Sequence, residues 1–248
     1  MILSDFHVHS TFSDGKNTPE EIVLKAISAG IKNLGFSDHS YTLDESYCMS
    51  KEKKELYINT ISALKERYSN DINIYCGVEQ DFYSTENTEG FDYVIGSVHY
   101  VKANDDYIAV DKSLDYFKLA VERYFEGDCI KFAESYFKTV ADVVKKTNCD
   151  IIGHFDLITK FNGSGLFDET DKKYINAWKS AADELLKCGK PFEINTGAIS
   201  RGYRTFPYPS LDIIDYIKKN GGRFILSSDA HSAENLCFQF DKWEYLTK

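Results

Sequence analysis

The stretch DFHVHSTFSDG, residues 5–15, sets His7 and His9 two residues apart and Asp14 five further on. A strand repeats its side-chain direction every two residues. The residues around this stretch predict a strand near 2–8, so His7 and His9 point to one side of it. Two imidazoles on one face can hold a metal ion, or they can be ordinary packed histidines at a strand end. The rest of the sequence decides between these readings.

The chain holds four other histidines, His39, His99, His154 and His231. Each closes an apolar run: NLGFSDH (33–39), FDYVIGSVH (91–99), DIIGH (150–154) and RFILSSDAH (223–231). Strands are expected near 2–8, 33–38, 72–82, 92–99, 150–154, 192–196 and 223–228. Amphipathic helices are expected near 18–29, 51–68, 113–126, 129–147, 171–188 and 210–220. The first helix carries its own punctuation. Thr18 stands at the N-cap, Pro19 at the first helical position and Glu21 where a capping box needs it, and Gly30 ends the helix. Residues 100–112 are expected to form a loop over one face.

Strand and helix alternating about seven times implies a parallel sheet with crossover helices. The glycine fingerprints of nucleotide-binding open sheets, G-x-G-x-x-G after the first strand and G-x-x-x-x-G-K-[ST], do not occur. A closed barrel is therefore favoured. In such a barrel the carboxyl ends of all strands open on one face, where the active sites of these folds are built. Six histidines remote in sequence should then converge. A single strand-end histidine is more often packed than ligating. Six of six at one end, with none on the helices, point to metal binding, for which imidazole is the commonest ligand.

Carboxylates extend the cluster. Asp14 follows the first strand, Glu79 sits late in INIYCGVEQDF (72–82), and Asp229 precedes His231 by two. An acid within an apolar run is costly without a compensating cation. Asp81, two residues beyond Glu79, reads as a supporting or solvent residue rather than a ligand. Nine candidate ligands exceed the needs of one catalytic ion, which takes about three protein ligands plus water. They suit two or three ions. Paired ions clamp the attacking and leaving oxygens of a phosphoryl transfer and lower the pKa of water.

Composition limits the alternatives. The 248 residues, 43% hydrophobic and 27% charged, suit one folded domain over residues 1–248. The six cysteines are scattered and none forms C-x-x-C, which fits reduced thiols and a cytoplasmic protein. The amino terminus does not read as a signal peptide, and no apolar run is long enough to span a bilayer. The net charge of −10 disfavours nucleic acid and anionic membranes as partners. A small phosphate ester is the better match, because charge screening leaves the ions to dominate inside a pocket.

HVHSTFSD, FSDH, GVEQDF, IGSVHY, GHFDL, NTGA and SSDAH, in this order between residues 7 and 231, resemble the motifs of the polymerase and histidinol phosphatase (PHP) superfamily. Their order and spacing resemble its monofunctional histidinol-phosphatases. The resemblance implies an α/β fold, a distorted (β/α)7 TIM-like barrel, with a trinuclear site of zinc, iron or manganese. It implies that His7, His9, Glu79 and Asp229 hold a first ion. Glu79 would bridge to a second, held also by His99 and His154, and Asp14, His39 and His231 would hold a third. Glu79, Asp229 and Arg201 would be catalytic. Arg201 and Lys160, in the loops after the sixth and fifth strands, would bind substrate phosphate. Arg204 competes with Arg201 for that role, which suits the guanidinium fork.

The resemblance further implies hydrolysis of L-histidinol phosphate to L-histidinol and inorganic phosphate in histidine biosynthesis. Another PHP phosphoesterase acting on nucleotides or phosphotyrosine is the alternative, and a metal-dependent C–N hydrolase a more distant one. Asp38 and Asp156, beside ligand histidines, are candidates for orienting imidazoles or for simple loop acids. Tyr100, Phe161, Tyr203 and Phe206 are candidates for stacking on a heterocycle or for plain packing. The oligomeric state stays open, a homo-oligomer included.

Overall fold

The computed structural model describes residues 3–43 and 46–248. Ile2, where the first strand was expected to start, lies outside them. Seven strands form one parallel sheet: β1 (Ser4–Asp5), β2 (Asn33–Phe36), β3 (Asn73–Asp81), β4 (Tyr93–Ser97), β7 (Ile151–Ile152), β8 (Phe192–Asn195) and β9 (Phe224–Ser227). Their spatial order follows the sequence, and every neighbouring pair is parallel. The sheet curls until its first and last segments meet. His9 N donates to Ala230 O (2.9 Å) and Ala230 N donates to His7 O (3.1 Å) around a bridge between Val8 and Ala230. The result is a nearly closed seven-stranded α/β barrel, the architecture expected from the alternation.

Several expected elements differ, among them the helix expected over 129–147, which is broken after Val140 into Cys129–Val140 and Val143–Thr147. The ladder of β1 covers only Ser4–Asp5. Asp5 explains the early interruption: its buried carboxylate accepts from Ser228 N (3.1 Å) and Cys237 N (2.8 Å), so side-chain bonding takes over from the ladder. Residues 100–112 are not an irregular loop. They contain an antiparallel hairpin of β5 (Tyr100–Ala103) and β6 (Asp106–Ala109), turning at Asn104 with φ of 55°. Asparagine tolerates that left-handed conformation better than most residues. The hairpin lies beside the carboxyl ends of the strands and forms one wall of the cleft described below.

Seven helices wrap the outside, α1 (Pro19–Ser28), α2 (Lys54–Arg67), α3 (Leu114–Tyr124), α4 (Cys129–Val140), α5 (Val143–Thr147), α6 (Lys172–Leu186) and α8 (Leu211–Lys219), while the one-turn α7 (Gly197–Ser200) follows β8 and packs against Asp229. α1 starts on the predicted capping box, with Thr18 Oγ1 accepting from Glu21 N and Glu21 Oε2 from Thr18 N. Each helix turns one apolar stripe inward. α4 buries Phe132, Ala133, Tyr136, Phe137 and Val140, and α8 buries Ile213, Ile214 and Ile217. Burying one such side chain contributes about 1.5–3 kcal/mol.

Inside the barrel, Tyr93 fills the space below the site. Its hydroxyl donates to Phe6 O (2.6 Å) and Phe36 O (3.0 Å). Gly35 and Gly77 make room, since a Cβ at either would collide with the Tyr93 ring. The Tyr93 ring thus plugs the barrel beneath the strand ends, above a second cavity of about 620 Å³ lined by Phe6, Tyr75, Tyr93, Ile151 and Phe224.

Candidate metal centre

His7, His9 and Glu79 are buried side by side above this plug. The sequence places them there by simple means. Val8 points into the core between the two histidines, and β3 runs long enough to carry Glu79 to the height of His39, with which it forms a bridge. His7 Nε2 stands 3.4 Å and His9 Nε2 3.6 Å from Glu79 Oε2, while Asp229 Oδ1 lies 3.3 Å from His9 Nε2 and 3.8 Å from His7 Nε2. The second oxygen of Glu79 faces away from this group. It is 2.9 Å from His154 Nε2 and 3.6 Å from His99 Nε2.

A third group gathers at the rim. Asp14 reaches His231 Nε2 (3.2 Å), His39 Nε2 (3.7 Å) and His9 Nδ1 (3.8 Å). His39 joins two groups, because its Nδ1 is 2.8 Å from Glu79 Oε2. All nine side chains singled out from the sequence therefore stand in one continuous cluster.

Electrostatics and orphaned atoms test whether this donor set fits metal ions. Burial would push Glu79 up, but His39, His7 and His99 hold it well below the ordinary carboxylate range. Burial and then the neighbouring His231 and His39 push His9 down to about 3, so its imidazole is neutral with a lone pair to offer. Burial would lower His7, yet the carboxylates of Glu193, Glu79 and Asp229 outweigh it and raise it. His7 Nε2, both ring nitrogens of His9 and Glu79 Oε2 are buried without any hydrogen-bond partner. Such orphaned atoms cost about 1–3 kcal/mol each unless something satisfies them. Imidazoles and ionised carboxylates converging on a shared space are the ligands divalent cations take, and a cation there would replace the protons that the carboxylates otherwise hold on His7, His39 and His99.

Asp229 is held in an unusual backbone state, with φ of 49°. A non-glycine residue there costs of order 1–3 kcal/mol and persists when the surroundings fix it. Arg201 supplies one restraint: its Nη2 donates to Asp229 Oδ2 (2.9 Å) and its Nη1 to Asp229 O (3.2 Å). Nη1 also stands 2.8 Å from His231 Nδ1. The guanidinium thus sits at the edge of the cluster.

A cleft of about 870 Å³ opens over these side chains. Its walls carry Tyr47, Tyr107, Asp111, Tyr116, Lys160, Arg201 and Tyr203. Lys160 faces the cleft but is engaged, donating to Asp111 O (2.9 Å) and Asp111 Oδ2 (3.0 Å). Arg204 is turned elsewhere. It donates to Thr159 Oγ1 and to Ser210 Oγ (3.1 Å), with its guanidinium over the Tyr208 ring. Of the aromatic candidates, Tyr100 and Tyr203 line the cleft, whereas Phe161 packs on Tyr203 and Phe206 on Trp243.

The acids expected to orient imidazoles do other work. Asp38 accepts from the backbone and hydroxyls of both Ser10 and Ser13, fixing the turn that carries Asp14. Asp156 accepts from Ser210 N (2.9 Å) and Ser210 Oγ (2.7 Å). Two others touch histidines. Asp81 Oδ2 lies 3.2 Å from His99 Nδ1, and Glu193 Oε1 lies 2.7 Å from His7 Nδ1. Glu193 was not singled out from the sequence. The signal was the one that found Glu79, an acid inside an apolar strand, here in PFEIN.

The family model for the PHP domain matches residues 5–197. A relative from Deinococcus radiodurans, "Probable histidinol-phosphatase", is 28% identical over 256 residues, covering 96% of this chain and 90% of its own. A solved chain from Listeria monocytogenes superposes with a TM-score of 0.83 at 18% identity, covering 97% of this chain and 99% of that one. The histidinol phosphate phosphatase of Lactococcus lactis, solved with zinc, L-histidinol and phosphate, superposes with a TM-score of 0.73 at 24% identity, covering 99% and 92%.

Proposed function

The chain belongs to the PHP domain family, and from that premise we propose that it is a metal-dependent phosphomonoesterase, a histidinol-phosphatase that converts L-histidinol phosphate to L-histidinol and phosphate. One observation carries the reading: nine imidazole and carboxylate side chains converge beneath a cleft, several with buried atoms that have no hydrogen-bond partner. Relatives named for this activity align along nearly the whole chain.

His7, His9, Glu79 and Asp229 would hold one ion, Glu79 with His99 and His154 a second, and Asp14, His39 and His231 a third; zinc, iron and manganese all suit this mixed nitrogen and oxygen set. Such ions supply Lewis-acid stabilisation of phosphoryl oxygens and a water acidic enough to act at neutral pH. The chain's own residues do the rest. Glu79 presents one oxygen to each of two histidine groups and so spaces them. Arg201 brings a fork of donors to the side of the cluster where an ester phosphate would sit, and its charge is oriented before substrate arrives. Lys160 adds a second positive charge on the cleft wall, over the Tyr203 ring and partly compensated by Asp111. His7, His9 and Glu79 are buried, so their charges act at lower dielectric than those on the open cleft walls.

The cleft is larger than a phosphate needs and has tyrosines at its mouth, which supports a heterocyclic leaving group of modest size. The acidic chain supports a small-molecule substrate over nucleic acid, and the six free cysteines support a cytoplasmic setting. No helix among the described residues is long and apolar enough to cross a membrane. The test is phosphate release from L-histidinol phosphate, nucleoside monophosphates and phosphotyrosine under the same conditions. The proposal expects histidinol phosphate to have the highest kcat/KM. A nucleotide or phosphotyrosine that exceeds it would move the enzyme to another branch of the family.

A further inference from the structure

We infer that Glu193 is a positioning residue that fixes the tautomer of His7 and, through two further bonds, locks three ligand-bearing segments together; the inference rests on the metal-centre reading above. Glu193 lies on β8, is 1% exposed, and carries no proposed ligand role. Among the described residues no lysine or arginine pairs with it; its ion-pair partner is His7.

The geometry of its two oxygens gives the argument. Oε1 accepts from His7 Nδ1 at 2.7 Å. An imidazole that places its proton on Nδ1 keeps the lone pair of Nε2 free, and Nε2 is the atom that faces Glu79 and Asp229. Oε2 accepts from the backbone N–H of His154 (3.1 Å) and from Asn195 Nδ2 (3.2 Å). Asn195 is oriented in turn, because its Oδ1 accepts from Gly197 N (2.9 Å). Gly197 abuts Asp229. One carboxylate therefore connects His7 after β1, His154 after β7 and the turn that borders Asp229.

A glutamine at this position cannot reproduce the pattern. With its oxygen on His7, its NH2 group meets two donors, the His154 N–H and Asn195 Nδ2. With its NH2 group on His7, it drives the imidazole proton to Nε2, the metal-facing atom. Either choice breaks part of the network, although volume and burial stay the same. Loss of such an outer partner lowers metal affinity about 10–100-fold.

The test uses the full chain stripped of metal and titrated with zinc in competition with a chromophoric chelator. Glu193→Gln is expected to bind zinc about 10–100-fold more weakly than the unsubstituted protein. It should need correspondingly more zinc for half-maximal turnover, with KM for substrate unchanged at saturating zinc. In the unsubstituted zinc-loaded protein, nitrogen-15 NMR of labelled histidine should show His7 protonated at Nδ1 and metal-bound at Nε2, the resonance being assigned by its loss in His7→Asn. Unchanged zinc affinity in Glu193→Gln overturns the inference. So does a zinc-loaded His7 without a proton on Nδ1, a result independent of whether the variant folds. A chain that takes up no zinc, iron or manganese overturns the metal-centre reading itself, so the two failures are distinct.

Discussion

Gly197 packs flat against Asp229: a Cβ at position 197 would lie 2.7 Å from Asp229 Oδ2 and 2.8 Å from Asp229 Cβ. Those distances are below any real carbon contact. The absent side chain of one residue thus fixes where the carboxylate of the other can stand, at a backbone conformation that is already unfavourable.

Gly197→Ala is accordingly expected to displace Asp229 or the start of α7. Overpacking of this kind costs about 1–3 kcal/mol. For a chain of this size each kcal/mol lowers Tm by about 2–4 °C. Thermal melts should show that drop, and metal analysis should show reduced occupancy. A variant with unchanged Tm and full metal content would mean the loop yields freely.

Arg201→Met should lower kcat/KM about 10²–10³-fold, the usual loss when one donor to a developing charge is removed. Arg201→Lys should recover only part of it, because an ammonium cannot reach both phosphate and Asp229 with the guanidinium's fixed fork. Because Arg201 also restrains Asp229, steady-state kinetics are run on metal-analysed protein at saturating metal, where the loss in kcat/KM should persist after any drop in occupancy has been restored.

Lys160 and Asp111 make opposite predictions. Lys160→Met should raise KM about tenfold, the worth of one charge-assisted hydrogen bond. Asp111→Asn removes the carboxylate that now compensates Lys160 and should lower KM for a phosphomonoester. Inhibition by inorganic phosphate gives the same comparison without turnover. Equal effects of the same sign from both substitutions would show that the pair serves only to hold β6 to the loop after β7.

Chelation should lower Tm without unfolding the chain. Ligands present at 100 times Kd stabilise a folded protein by about 2.7 kcal/mol. That predicts a fall of about 5–10 °C at this size. The fold should survive, because the barrel is held by backbone strand ladders and apolar helix stripes rather than by the ligand side chains of the site. Scanning calorimetry with and without chelator checks both parts.

The sequence made the barrel and the metal cluster legible for one physical reason. Histidine is scarce, apolar runs mark strands, and a parallel barrel brings all strand ends to one face. His99 and His154, remote in sequence, are neighbours because β4 and β7 pair. What stayed illegible depends on which side chains meet across loops. Lys160 reads as a free loop charge until Asp111 is seen beside it, and Arg204 reads as a rival to Arg201 until Thr159 and Ser210 claim it. Glu193 carried the same signature as Glu79, but its strand ends in no histidine, so nothing drew notice to it. The hairpin at 100–109 was hidden because its polar turn dominates a short apolar alternation.

The central claim is that this cluster hydrolyses histidinol phosphate through bound metal ions. The most direct measurement is phosphate release from L-histidinol phosphate by metal-analysed protein, before chelation, after chelation, and after readdition of zinc, iron or manganese. The account predicts turnover that disappears with the ions and returns with at least one of them. Turnover that persists in protein shown to be free of metal would contradict it.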